Sequence, residues 1–192
     1  MKKFFLTVAM SLTLASAAQA EPVTYMLDAS HSQIVFSYNH LGFSTTTGMF
    51  SGFEGIIELD AEDPSASSVE VSFPAQSLIT GWPAREDHFL SEEFFGSDAN
   101  PLVTFTSTAI EVIGDNTGMI TGDLTMNGIT KSVVLDATMN QLAVHPMANL
   151  PWAGFDATTT LLRSDFDMGQ FAPFVGDEIA INISIEAMVP TE

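Results

Sequence analysis

A two-residue alternation of apolar and polar side chains constrains this chain more than any other feature. Ile179, Ile181, Ile183, Ile185 and Ala187 alternate with Ala180, Asn182, Ser184, Glu186 and Met188. Ile34, Phe36 and Tyr38 alternate with Gln33, Ser37 and Asn39, and Val69, Val71 and Phe73 with Ser68, Glu70 and Ser72. Successive strand residues point to opposite faces, so each run reads as a half-buried antiparallel strand. Turn signals separate the runs. Asn127-Gly128 divides Met119–Met126 from Ile129–Met139, and 114-GDNTG-118 divides another pair. Gly48, Gly52 and Gly55 interrupt a further run and suggest bulges or strong coiling. Roughly eight strands result, at the spacing of a barrel or sandwich.

One segment breaks the rhythm, 81-GWPAREDHFLSEEFFGSDANP-101. Pro83 suits a first helical turn, and Ser91 followed by Glu92 and Glu93 suits a second helix start. Phe89, Leu90, Phe94 and Phe95 give it an apolar side, as expected of one or two short helices over a barrel mouth. No linker or repeat divides the chain, so residues 21–192 read as one all-β domain.

The N-terminus has a different character. Lys2 and Lys3, an apolar run from Phe4 to Leu14 and 18-AQA-20 mark residues 1–20 as a secretory signal peptide cut after Ala20. The apolar run falls short of the about 20 residues a spanning helix needs. With no cysteine, a lipid anchor at the cleavage site is ruled out, and so are disulfides. The expected location is the periplasm.

The net charge is −19, and losing Lys2 and Lys3 makes the remainder more acidic. Such a field repels nucleic-acid phosphates and opposes charge-driven adsorption on anionic lipid. Nucleic acid is therefore excluded as a partner, and no stable membrane insertion is expected. The acidic exterior covers a chain that is 46% hydrophobic, with fifteen Phe and ten Met.

Candidate chemistry is sparse. His31 and His40 are nine positions apart, so on a straight strand they face opposite sides, about 30 Å from each other at ~3.3 Å per residue. His40 shares the parity of Ile34, Phe36 and Tyr38 and reads as the polar tip of an apolar wall. Arg85, Glu86, Asp87 and His88 read first as solvated ion pairing and helix capping. No H-x-x-x-H pair, calcium loop, phosphate loop or G-x-S-x-G elbow is present, and no metal is expected. The informative group is aromatic: Phe36, Tyr38, Phe43, Phe50, Phe53, Phe73, Trp82, Phe89, Phe94, Phe105 and Trp152. A barrel of about eight strands is filled by such side chains or holds one small ligand. Periodicity alone favours the filled core.

Several motifs change that balance. The opening 25-YMLD-28 with 31-HS-32, 40-HLGFS-44, 48-GMFSGFEG-55, Arg85 and His88, 105-FTS-107 and 121-TGDLTMNGITKSVVL-135 resemble the YceI-like family of secreted polyisoprenoid-binding proteins. The resemblance spans essentially the whole chain after residue 20. It implies an eight-stranded antiparallel lipocalin-like barrel holding an isoprenoid lipid or quinone, with no other cofactor and no enzymatic activity. A homodimer is compatible with it, and no sequence feature demands one. The ligand-binding candidates are then Ile34, Phe36, Tyr38, Phe43, Phe50, Phe53, Phe73 and Phe105, with Trp82, Phe89, Leu90 and Phe94 in the capping segment. Tyr38, His40, Arg85 and His88 are the headgroup candidates. A scavenger of other lipophilic molecules is the alternative, and a lipid-modifying enzyme the more distant one. At 163-RSDFDM-168 the chain departs from the family by placing Asp167 where glycine is usual.

Overall fold

A computed structural model describes residues 21–191. The signal peptide assigned to residues 1–20 lies outside them. Ten strand segments form one antiparallel sheet: β1 (Val23–Leu27), β2 (Gln33–His40), β3 (Ser44–Phe50), β4 (Glu54–Leu59), β5 (Ser68–Pro74), β6 (Leu102–Gly114), β7 (Thr117–Met126), β8 (Ile129–Val144), β9 (Pro151–Leu162) and β10 (Glu178–Met188). The spatial order is β1-β4-β5-β6-β7-β8-β9-β10, and β1 returns to pair with β10.

Those eight form a closed ring. The remaining two extend it, because β2 continues beside β10 where β1 stops. Likewise β3 pairs with β2 as β4 pairs with β1. Two staves of an eight-stave barrel are thus each broken once, which reconciles ten segments with the eight strands expected. The breaks are local in origin. In the second stave Gly52 adopts φ 71° between β3 and β4, a left-handed conformation that costs glycine nothing. In the first, residues 28–32 loop out beside Glu186. Ser32 Oγ donates to the Asp28 carbonyl at 2.7 Å and accepts from the Glu186 amide at 3.3 Å, so the seam stays hydrogen-bonded.

The barrel is closed only in its lower half. Beyond β3 no further strand is paired among the described residues, apart from a bridge between Met49 and Ile79. The segment after Ile79 leads into the single helix α1 (Pro83–Leu90). Pro83 opens the helix, and Glu86 fastens its approach by accepting from the Thr80 amide at 2.6 Å and the Gly81 amide at 3.1 Å. These bonds hold the Glu86 carboxyl below the usual range. Residues beyond Ser91 form turns rather than a second helix.

Alternation in the strands becomes an inside and an outside. Phe36, Tyr38, Phe50, Phe53, Phe73, Val103 and Ile179 are buried together in the main core. At Asn127-Gly128 both residues have positive φ, 51° and 72°, as the tight β7–β8 hairpin requires. Asp167 takes φ 57°, a left-handed conformation, at the position where the sequence resemblance leads glycine to be expected. Asp and Asn tolerate this region better than other side chains.

Candidate ligand-binding site

The interior of the barrel is not filled. An upper cavity of about 490 Å³ lies beneath α1, and a lower one of about 280 Å³ continues toward the β6–β7 turn. Phe50, Met126, Leu161 and Ile181 line both, so the two adjoin at that level. An aromatic chain runs along this axis. Ring centroids are 5.0 Å apart for Phe53–Phe73, 5.1 Å for Phe50–Phe73 and 5.6 Å for Phe36–Phe50. Tilted contacts at these distances suit the ring quadrupoles.

The sequence-derived candidates divide between the two cavities. Ile34, Phe50, Phe53, Phe73 and Phe105 line the lower one. Phe36, Tyr38, His40, Phe50, Trp82, Arg85, His88, Phe89 and Phe94 line the upper one. Two candidates line neither. Phe43 stands on the β2–β3 turn with 90% of its surface exposed, because the turn at Leu41–Gly42 ends the alternation that carried β2. Leu90 packs against the core cluster instead. Adjacent helix positions diverge by about 100°, so when Phe89 faces the lumen Leu90 does not.

Polar groups gather at the upper end. His40 closes β2 and bridges to Val175. His88 Nε2 lies 2.9 Å from Glu93, and its ring meets the edges of Phe94 and Phe171. The Arg85 guanidinium sits 5.5 Å from the centre of the Trp82 ring, a cation–π arrangement.

Sequence reasoning missed Arg163, which lines the upper cavity with Gln170, Phe171 and Val175. Its Nε donates to the Gly176 carbonyl at 2.9 Å and its Nη2 to Val175 at 3.1 Å. Nη1 donates to Met168 at 2.6 Å and to Gln170 at 3.2 Å. One cation thus ties up the β9–β10 connection that borders the mouth. Burial pushes its pKa down, against the favourable fields of Asp177 and Tyr38. The available signal was scarcity, since Arg163 is one of three Lys or Arg residues after position 20.

The histidine of the opening motif belongs elsewhere. His31 Nδ1 lies 2.6 Å from Asp28, and Glu186 joins them in a group whose ligand-type atoms lie within 4.8 Å of one another. Glu186 also accepts from Trp152 Nε1 at 2.7 Å, so the group serves as a polar clasp on the β1–β2 break.

Residues 25–187 match the sequence model of the YceI-like domain. The chain belongs to the YceI-like family. A UPF0312 protein of Pseudomonas savastanoi pv. phaseolicola is 34% identical over 190 residues, covering 98% of each chain. One of Pseudomonas putida F1 is 37% identical over 168 residues, covering 86% of this YceI-like chain and 87% of its own. Among solved structures, the Campylobacter jejuni YCEI protein is 30% identical, with a TM-score of 0.70 over 80% of this chain and 90% of its own. Burkholderia cenocepacia BcnA superposes with a TM-score of 0.75 over 83% of this chain and 98% of its own, at 23% identity. A polyisoprenoid binding domain from Saccharophagus degradans does so with a TM-score of 0.69 over 86% and 98%, at 13% identity. These last two carry the fold alone. This YceI-like barrel is capable of binding an apolar small molecule.

Proposed function

We propose that this protein is a periplasmic carrier of an isoprenoid lipid, a polyprenol or an isoprenoid quinone. The carrying observation is the pair of adjoining cavities, whose lining is apolar below and gathers its polar groups at one end. An amphiphile with a long tail fits that polarity. Its tail would run past Phe50 into the lower cavity, and its headgroup would stay near Tyr38, His40, Arg85 and His88. Removing the tail from water supplies about 25 cal/mol per Å² of apolar area, so a chain of several prenyl units needs few polar contacts. The Saccharophagus degradans domain, described as polyisoprenoid binding, supports this reading through its fold.

The test is native mass spectrometry of the exported protein, followed by solvent extraction. A co-purifying prenyl quinone or polyprenol, displaced by an added polyprenol, is the expected result. A protein that carries no apolar molecule and takes none up overturns the proposal. Uptake of unrelated lipophiles in preference to prenyl chains would point to a scavenger.

A further inference from the structure

The described residues contain four Phe or Trp side chains with more than half of their surface exposed: Phe43 at 90%, Phe174 at 75%, Trp82 at 58% and Phe171 at 54%. All four lie at the mouth. Trp82 and Phe171 line the upper cavity. The Leu41 amide donates to the Phe174 carbonyl at 3.1 Å, and the Phe43 amide to His40 at 3.0 Å, which ties the β2–β3 turn to the β9–β10 connection. At the opposite end the exposed apolar residues are aliphatic, such as Val112, Ile113, Val144 and Met147.

A second observation singles out the same place. Among the described residues, five other than glycine have positive φ, and three of them, Asn127, Asn149 and Asp167, are types that tolerate it. The two that do not are Leu41 at 56° and Phe171 at 65°. Both are exposed at the rim. Holding exposed apolar side chains in a strained backbone is costly twice over, and such strain concentrates at functional positions.

Charge points the same way. The chain carries a net −19, yet two of its three Lys or Arg residues after position 20, Arg85 and Arg163, sit at this end. Arg85 lies over the Trp82 ring, so the cation and an indole that favours membrane interfaces share one position. The rings stand on three separate segments around an opening. A deformable lipid surface accommodates such a crown better than a rigid protein face does.

We propose that the aromatic rim, Phe43, Trp82, Phe171 and Phe174, docks the barrel mouth reversibly on the surface of a zwitterionic lipid bilayer, with Arg85 at the depth of the lipid phosphates. This rests on the carrier reading, in which the lumen exchanges its ligand with a membrane. Binding is driven by ring insertion rather than by net charge. Anionic lipid therefore weakens it at low ionic strength, through Asp87, Glu92 and the rest of the acidic surface, and salt restores it.

The test uses delipidated protein with phosphatidylcholine–phosphatidylethanolamine vesicles. Trp82 and Trp152 are the two tryptophans of the chain, so a Trp152→Phe background reports Trp82 alone. The expected result is co-sedimentation with a blue shift of Trp82 emission. Neither Phe43 nor Phe174 lines a cavity, so Phe43→Ser combined with Phe174→Ser leaves the lumen intact. That variant should lose vesicle affinity by about tenfold or more while still binding an apolar fluorescent probe. Wild-type protein that stays in the supernatant, or a variant that sediments equally, overturns the proposal. So does a Trp82 shift that follows protein concentration without vesicles, since the rim then joins two copies. Docking without uptake of any apolar probe would overturn the carrier reading alone.

Discussion

Gly48 lies directly opposite Phe36 across the β2–β3 ladder, and the Phe36 ring fills the space that a Cβ on Gly48 would take. The missing side chain on one strand is what lets the other strand's ring lie flat against the wall. Gly48→Ala should therefore swing Phe36 into the upper cavity. The cost in stability is about 1–3 kcal/mol, as for other overpacked cores. The loss of ligand affinity should exceed what that cost implies, read by urea unfolding beside probe titration. Full affinity in a folded Gly48→Ala protein would place the ligand away from Phe36.

Phe50 is the ring at which the two cavities adjoin. Its removal in Phe50→Ala should destabilise the fold by about 3 kcal/mol, at the low end for a large-to-small change because the site already borders open space. The bound-ligand profile in native mass spectra should move toward longer chains. An unchanged profile would mean that the tail never passes this level.

Arg163 satisfies four carbonyls of the β9–β10 connection. Lysine cannot reproduce that planar fork, so Arg163→Lys should cost about 2–4 kcal/mol. Faster amide exchange should appear in residues 168–176 ahead of the rest of the barrel. Uniform loss of protection throughout would show that Arg163 supports the whole fold instead.

The clasp at the first broken stave predicts a pH dependence. Hydrogen bonding to Asp28 and the Asp28 charge raise the His31 pKa above its ordinary 6.5. Burial pushes Asp28 up, but the bonds from His31 and Ser30 outweigh it and hold the carboxyl below 3.8. A raised histidine stabilises the fold below its unfolded value and loses that contribution as pH rises through the folded value. The depressed carboxyl contributes above its unfolded value and loses its share as pH falls through the folded one. The stability gap between wild type and His31→Ala should thus be widest from about pH 4 to 6.5 and shrink on both sides. Urea midpoints across pH measure it. Ligand affinity should stay within a few-fold throughout, because His31 lines neither cavity.

The barrel walls were legible because alternation and Asn127-Gly128 act over a few residues. The lumen was not, since periodicity gives the inward face of Phe36 or Ile181 without saying whether the space between facing walls is full. The family motifs supplied that expectation. Phe43 lines neither cavity, because the turn at Leu41–Gly42 separates it from the alternation of β2. Leu90 also lines neither, and an eight-residue helix offers too few turns for the sequence to fix its inward face. The role of Arg163 was hidden for a different reason. Its partners lie 5 to 13 residues ahead, on a connection with no pattern of its own.

The strand β3, with a full neighbour on one side only, bears on how cargo enters. A hoop complete at every height admits a long molecule solely by its tip, threaded like a cord through an eyelet. This barrel is a hoop below and a horseshoe above, with a short helix resting in the gap. On the carrier reading, a chain would be laid in along this flank before its tail slid down. The bulk of the molecule's leading end would then cease to decide what is accepted.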